Sequence, residues 1–297
     1  MVGRVGITVT VRPVRILLTN DDGIGAPGLV ALVRSLARWS EQAPAGEVRE
    51  LVVVAPDRNH SGGSAAVGPV YERTSISFRR HRYADAPAVE SFALDASPAL
   101  CVLVGVLGGI GERPDLVVSG INAGVNVGRS VLHSGTVGAI LTGSQLGLSG
   151  LSVSMQWHQD ASFDVAGDLA AEVLDQLIGA PPRTLLNLNV PALARGELRG
   201  VRRGRISTAG IVKSAGSAQA GIELGESGEI PLRLGSAVPA LGDVSDEEPD
   251  DDGALVAAGY ASLTPLRSVH EDTDTGADDA VRRALDAISA HLAAAAR

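Results

Sequence analysis

Residues 15–29, Arg15-Ile-Leu-Leu-Thr-Asn-Asp-Asp-Gly-Ile-Gly-Ala-Pro-Gly-Leu29, decide the fold. The apolar run Ile16–Leu18 stops abruptly at Asn20-Asp21-Asp22-Gly23. A run so short and so apolar, closed by a turn signal, reads as a buried parallel strand. Beyond it, Leu29, Leu32, Val33 and Leu36 recur at helical spacing from Ala26 to Trp39, and Pro27 suits a first helical turn. Strand, acidic turn and helix together form the opening unit of an α/β sheet. Ligands of such sheets sit beyond the carboxyl ends of the strands. Two adjacent carboxylates at that place point to a hard divalent cation, which takes oxygen ligands and favours phosphate as its second partner. Asp-Asp-Gly also has a plainer use, because acids cap helices and form turns without any ligand.

The chain has 297 residues, 45% of them hydrophobic and only 3% aromatic, so Leu, Val, Ile and Ala must fill the core of one large domain or two small ones. A formal net charge of −9 lacks the basic footprint of a general nucleic-acid binder, and no stable nucleic-acid complex is expected. A small anionic substrate stays possible, since local fields oppose net charge at many sites. The single cysteine, Cys101, lies in the apolar stretch Leu100–Val106. It permits no intrachain disulfide, reads as inert core, and fits a reducing, cytoplasmic location. No run reaches the roughly 18 apolar residues of a membrane helix, so no membrane partner is expected. Residues 1–14 read as an N-terminal extension whose run Ile7–Val11 is too short for a signal peptide.

Further strands are expected at Glu50–Ala55, Asp115–Ser119, Leu151–Met155 and Leu185–Val190, with helices at Ser97–Leu107, Val137–Leu146 and Phe163–Ile178. This alternation predicts an α/β core over residues 15–190, a mostly parallel, doubly wound sheet. The pattern degrades after Pro191. Arg199–Arg205 reads as a solvated basic face. Ile222–Leu224 and Ile230–Leu234 flank Gly225-Glu226-Ser227-Gly228 as a β-hairpin, and Asp243–Asp252 reads as a solvated, mobile acidic loop. Tyr260–Leu266 reads as a returning strand and Asp278–Ala296 as an amphipathic terminal helix. Residues 191–297 are thus an arm and tail added to the core, too poor in core signals to pack alone.

Three more segments gather around the acidic turn. After the second strand comes Ala55-Pro56-Asp57-Arg58-Asn59-His60-Ser61-Gly62-Gly63-Ser64, where small residues admit a ligand and Ser61 offers a hydroxyl oxygen. After the strand ending at Ser119 comes Gly120-Ile121-Asn122-Ala123-Gly124-Val125-Asn126, in which Asn122 supplies an amide oxygen. Ser134-Gly135-Thr136 opens a helix whose free N–H groups suit an anion. Each has an ordinary reading alone: a flexible loop, turn-forming asparagines, a simple N-cap. In a parallel sheet, however, strand-end loops converge on one rim. Asp21, Asp22, Ser61 and Asn122 would then give four oxygens around a cation.

The segments ILLTNDDGIGAPGL, VVAPDRNHSGGSA, PDLVVSGINAGVNVGRSVLHSGTVGAI and GYASLTPL resemble the signatures of the SurE family of survival-protein nucleotidases. The resemblance implies a Rossmann-like core, phosphatase activity on nucleoside monophosphates, and a C-terminal arm exchanged between the subunits of a homodimer or homotetramer. It implies that Asp21, Asp22, Ser61 and Asn122 bind Mg²⁺ or Mn²⁺. Some positions depart from the family pattern. Gly25 stands where His is common, Leu100 replaces an acid, His133 replaces a frequent Tyr, and Ile230–Leu234 lacks aromatics. Asp250-Asp251-Asp252 keeps only the last acid of Gly-Thr-Asp.

The expected chemistry is hydrolysis of a phosphate monoester. Asp21 and Asp22 are the catalytic pair, holding the metal while one of them accepts a proton from the attacking water, and Asn20, Asn126, Ser134, Gly135 and Thr136 hold the phosphoryl oxygens. His133 or His60 is a candidate donor to the leaving group, with an uninvolved surface histidine as the plainer reading of each. An aspartyl-phosphate intermediate is disfavoured, because both acids are needed for the metal. Two other readings stay open: a phosphatase for a sugar phosphate or biosynthetic intermediate, and a non-catalytic nucleotide-binding protein. A dinucleotide oxidoreductase is disfavoured, since the first turn lacks G-x-G-x-x-G.

Overall fold

Each Val/Leu run of the first 190 residues becomes a strand. A computed structural model describes residues 12–159, 162–208, 213–214, 234–235, 250–269 and 281–286. The strands are β1 (Val14–Thr19), β2 (Arg49–Pro56), β3 (Phe78–His81), β4 (Glu90–Leu94), β5 (Leu116–Ala123), β6 (Ser149–Met155), β7 (Leu185–Val190), β8 (Val201–Arg203), β9 (Lys213–Ser214), β10 (Leu234–Gly235) and β11 (Ala261–Leu266). The helices are α1 (Pro27–Glu41), α2 (Pro98–Val106), α3 (Gly135–Gln145), α4 (Asp164–Leu177) and α5 (Asp252–Ala257).

Nine strands form one sheet in the order β3-β4-β2-β1-β5-β6-β7-β11-β8. The stretch from β4 to β7 is parallel throughout, while β3 and β11 run antiparallel to β4 and β7. The chain steps outward from β1 to β2 to β4, then crosses back to β5, β6 and β7. The point where the order reverses therefore lies between β1 and β5, and the crevice of an open α/β sheet forms there.

Two apolar layers cover the sheet. Leu29, Leu32, Val33 and Leu36 of α1 pack with Ala166, Leu169, Ala170 and Leu174 of α4 on one face, over Ile16, Leu18, Val118, Leu151 and Val153. Cys101 and Val102 of α2 and Ile140 of α3 cover the other, over Leu17, Val52, Val54 and Val117. Each such side chain contributes about 1.5–3 kcal/mol on burial. The steps β5→β6 and β6→β7 run the same way across the sheet, yet α3 and α4 lie on opposite faces. The two crossovers therefore have opposite hands, a departure from the near-uniform right-handedness of such connections.

That departure has a structural counterpart. On the α2/α3 face, Thr19, Ser119, Ser152, Asn187 and Thr264 stand in register across β1, β5, β6, β7 and β11. One step nearer the rim, Ser154, Asn189 and Ser262 do the same. All eight are buried. This polar layer supports the loop after β5. The loop's carbonyl at Asn126 accepts from the side-chain amides of Asn187 (2.8 Å) and Asn189 (3.0 Å).

Several expectations require adjustment. The core helices and strands fall within a few residues of their expected limits, but β3, β4, β8 and α5 carried no clear signal. The basic stretch Arg199–Arg205 contains edge strand β8, paired in parallel with β11, and the Arg199 and Arg202 guanidiniums lie over the Tyr260 ring. Asp252 corrects the solvated acidic loop: it is 0% exposed and opens α5. The expected hairpin Ile222–Leu224 with Ile230–Leu234 lies outside the described residues except for Leu234. β9 pairs antiparallel with β10. Residues 1–11, and with them the run Ile7–Val11, also lie outside the described residues, whereas Arg12 is ion-paired to Asp115 and β1 begins at Val14. Residues 268–297 form a second unit, of which 281–286 are helical and exposed. Among the described residues no helix is long and apolar enough to cross a membrane. Cys101 is buried core, and burial pushes its thiol pKa up.

Candidate active site

The first turn after β1 places two acids in different surroundings. Asp21 is 3% exposed. Its carboxylate accepts from the Thr136 hydroxyl at 2.6 Å, and its main-chain oxygen accepts from the His60 N–H at 2.6 Å. Asp22 is half-buried and accepts from the Asn59 side-chain amide (3.2 Å) and the Ser61 hydroxyl (3.4 Å). An N–H from Ala123, at the end of β5, also reaches it. Loops from β1, β2 and β5 and the start of α3 thus converge beside the switch point.

The approach of α3 to Asp21 depends on a missing side chain. A Cβ built on Gly135 would lie 2.8 Å from both Cβ and Oδ2 of Asp21. Glycine at the first position of α3 therefore lets the helix start against the carboxylate. Ser134 accepts from the Val137 N–H at 3.1 Å and is the N-cap. The N–H groups of Gly135 and Thr136, at the first turn, have no acceptor within the helix, an arrangement that suits an anion.

Burial raises the carboxyl pKa of Asp22 above its ordinary value, and the charge of Asp21 raises it further. Hydrogen bonds from Ala123, Ser61 and Asn59 oppose the shift. Neighbouring carboxylates that repel one another at low exposure gain from a cation between them. The donors are all oxygen, which suits Mg²⁺ or Mn²⁺ and not a soft metal. Among the described residues no three His, Cys, Asp or Glu side chains gather in a metal-binding group. The arrangement fits a cation held by two carboxylates and neutral oxygens, with water and substrate completing its shell.

Asn122 ends the same rim, but its amide donates to the Gly124 carbonyl at 2.6 Å. That bond leaves its oxygen as the donor atom to a cation. Asn20 is wholly buried, and its amide spans the turn to the Gly23 carbonyl at 2.9 Å, so it braces the acidic turn from beneath. Asn126 is also a fixture of its loop. Its side-chain amide donates to Ser154 (2.8 Å) and its backbone N–H to Asn189 (2.7 Å). His133 is exposed on the turn before α3. The Nε2 of His60 is buried with no hydrogen-bond partner among the described residues.

Four contributors were given no role in the site by the sequence reading: Asn59, Asn187, Asn189 and Asp252. Asn59 also accepts from the Ser61 N–H at 2.7 Å, which shapes the β2 loop. Asn187 and Asn189 had a legible signal. In Leu185-Leu186-Asn187-Leu188-Asn189 two amides alternate with leucine in a strand buried on both faces, which requires an internal polar partner.

The family model for survival protein SurE matches residues 16–212. The 5'/3'-nucleotidase SurE of Cronobacter sakazakii is 37% identical over 274 residues, covering 91% of this chain and 96% of the relative. The 5'-nucleotidase SurE of Chloroflexus aggregans is 35% identical over 262 residues, covering 85% of this chain and 92% of the relative. The crystal structure of the SurE protein from Aquifex aeolicus superposes with a TM-score of 0.65 at 26% identity, over 92% of this chain and 99% of that one. With this breadth of sequence and structural likeness, the chain belongs to the SurE family.

Proposed function

We propose that the protein is a metal-dependent nucleotidase that hydrolyses nucleoside monophosphates to nucleoside and phosphate. The relatives named 5'/3'- and 5'-nucleotidase support the substrate class. The observation that carries the chemistry is the interlock of Asp21, Thr136 and Gly135, which sets an acidic pair against a helix N-terminus. Asp21, Asp22, Ser61 and Asn122 would hold the divalent metal, Mg²⁺ or Mn²⁺, which would supply positive charge to the phosphoryl oxygens and acidity to the attacking water.

The chain's own groups do the rest. The N–H groups of Gly135 and Thr136 receive phosphoryl oxygens as charge builds on them. Thr136 holds Asp21 in a single orientation, and Asn59 does the same for Asp22. Of the two acids, half-buried Asp22 is the one water reaches, and it takes the proton of the attacking water. His133, exposed on the turn before α3, is a candidate donor to the leaving group.

The test is phosphate release across nucleoside 5'- and 3'-monophosphates, with Mn²⁺, with Mg²⁺ and with chelator. Release that needs metal and vanishes in Asp22→Asn is expected. Absence of release from every nucleotide refutes the reading. The departures from the family pattern at Gly25, Leu100 and the arm motivate a second substrate class, so sugar phosphates belong in the same screen. Residues 191–297 are assigned to assembly as a homodimer or homotetramer through an exchanged arm. A cytoplasmic location is inferred from the single cysteine, Cys101, which is buried and unpaired.

A further inference from the structure

We infer that Asp252 is a positioning residue of the phosphate-binding rim, a carboxylate from the C-terminal segment that pins the loop after β5 so that the site is complete only when this segment is docked. The kinetic side of the inference rests on the nucleotidase reading; the structural side does not.

Asp252 is 0% exposed. Both of its oxygens accept from the Gly128 N–H, at 3.0 and 2.9 Å. Its Oδ1 also accepts from the N–H groups of Ser207 (3.0 Å) and Gly253 (2.9 Å). Among the described residues it forms no ion pair. A buried carboxylate without a cation is costly unless its hydrogen bonds are good. Capping α5 does not account for that cost, because Asp251 already caps the helix through the Ala254 N–H at 2.8 Å. The group that gains from Asp252 is Gly128, at the far side of the chain.

Gly128 occupies a particular place. It has a φ of +57° and opens the turn Gly128–His133, which runs directly into Ser134, Gly135 and Thr136. Two residues before it, Asn126 is held by Asn187 and Asn189 of β7. Val127 between them is buried, and a Cβ on Gly253 would lie 3.5 Å from its Cγ2. The loop is therefore fixed at two points, by the sheet at Asn126 and by Asp252 at Gly128. Loss of the second point frees the turn that aims the anion-binding N–H groups, while Asp21 and Asp22 keep their own supports. The Ser207 bond ties the chain just beyond β8 to the same carboxylate.

The experiment uses the full chain with Asp252→Asn, which keeps the volume and one acceptor but turns an amide donor toward a donor. KM for a nucleoside 5'-monophosphate and the inhibition constant of inorganic phosphate should rise together by about tenfold or more, as expected for a misplaced binding group. The Mn²⁺ affinity of the substrate-free variant should be unchanged. A lower Tm with KM and phosphate inhibition unchanged would show a merely structural role and overturn the inference. Equal losses in metal affinity and catalysis would overturn it too. Amide exchange on the wild-type protein needs no variant: Gly128 and Ser207 should be protected together, and rapid exchange at Gly128 refutes the clamp. Wild-type protein that releases no phosphate would sink the nucleotidase reading instead, with the exchange result still deciding the clamp.

Discussion

Gly135→Ala should damage the enzyme far more than the fold. The added Cβ would sit 2.8 Å from Asp21 Cβ, about 0.7 Å or more inside the ~3.5 Å at which carbon atoms rest. Asp21 cannot simply yield. It is buried, its side chain is held by Thr136 one residue along the same helix, and its main-chain oxygen is held by His60. Either the carboxylate rotates or the first turn of α3 withdraws. Overpacking of this kind costs about 1–3 kcal/mol, and alanine in a helix returns about 0.5–1 kcal/mol. The net loss is then about 0–2.5 kcal/mol, a Tm fall of at most about 4 °C for a chain of this size. Both ways of relieving the clash separate the acid from the Gly135 and Thr136 N–H groups, and a displacement near 1 Å costs about 10²-fold in rate. Initial rates of phosphate release at saturating Mn²⁺, with thermal melts on the same samples, measure the two effects. Gly196→Ala, remote from the site, is the control, since a Cβ there meets nothing within 4 Å. A Gly135→Ala enzyme with wild-type kcat/KM, or an equal loss in Gly196→Ala, refutes the reasoning.

Asp22→Asn should abolish Mn²⁺-dependent activity yet raise the Tm of the metal-free protein at pH 7, because it removes one member of a buried like-charge pair. The sign follows from linkage. The folded-state pKa of Asp22 is raised, so its stabilising contribution is complete below its ordinary pKa and is lost as pH rises through the folded value. The Tm gap between metal-free variant and wild type should therefore widen from about pH 4 to pH 7; a gap that narrows counts against the arrangement. Tyr83→Phe should lower stability by about 1–3 kcal/mol in denaturant titration, since Tyr83 is buried and its hydroxyl donates to the Ile24 carbonyl at 2.7 Å in the turn after the acids. Asn189→Leu should cost more than Asn189→Ser, because leucine strands the Asn126 N–H and removes one of the two amides at its carbonyl. Equal melts for the two variants would show that those bonds are not needed.

The parallel core was legible because its strands are buried on both faces. Ile16–Leu18 and Leu185–Val190 have no exposed side to blur the apolar run, and their limits were found to within a residue or two. The edge was not legible for the converse reason. β3 reads Phe78-Arg-Arg-His81, with its first three residues exposed, and Arg80 lies over the Phe92 ring. A strand stabilised by one neighbour and a cation–π contact carries little periodic signal. The acids, Ser61 and the α3 N-cap were readable because their position after strand ends is itself a rule of the fold. Asp252 was not, since an Asp-rich run looks solvated until a partner 124 residues away is in place.

The opposite-handed crossover and the polar layer have one cause. With α4 on the α1 side, the rim of β6, β7 and β11 on the α3 side is covered by the loop after β5 and by α5. A helix brings its backbone hydrogen bonds with it, whereas a loop must find partners for every buried N–H and C=O. An apolar sheet face would leave Asn126 without partners at a cost of about 1–3 kcal/mol for each group. Ser154, Asn187 and Asn189 meet that demand, and Asp252 meets it at Gly128. The buried polar residues are thus required first by the accounting of the loop's backbone. Their consequence for the site is that the loop leading to Gly135 and Thr136 is held by hydrogen bonds at Asn126 and Gly128 with no substrate present.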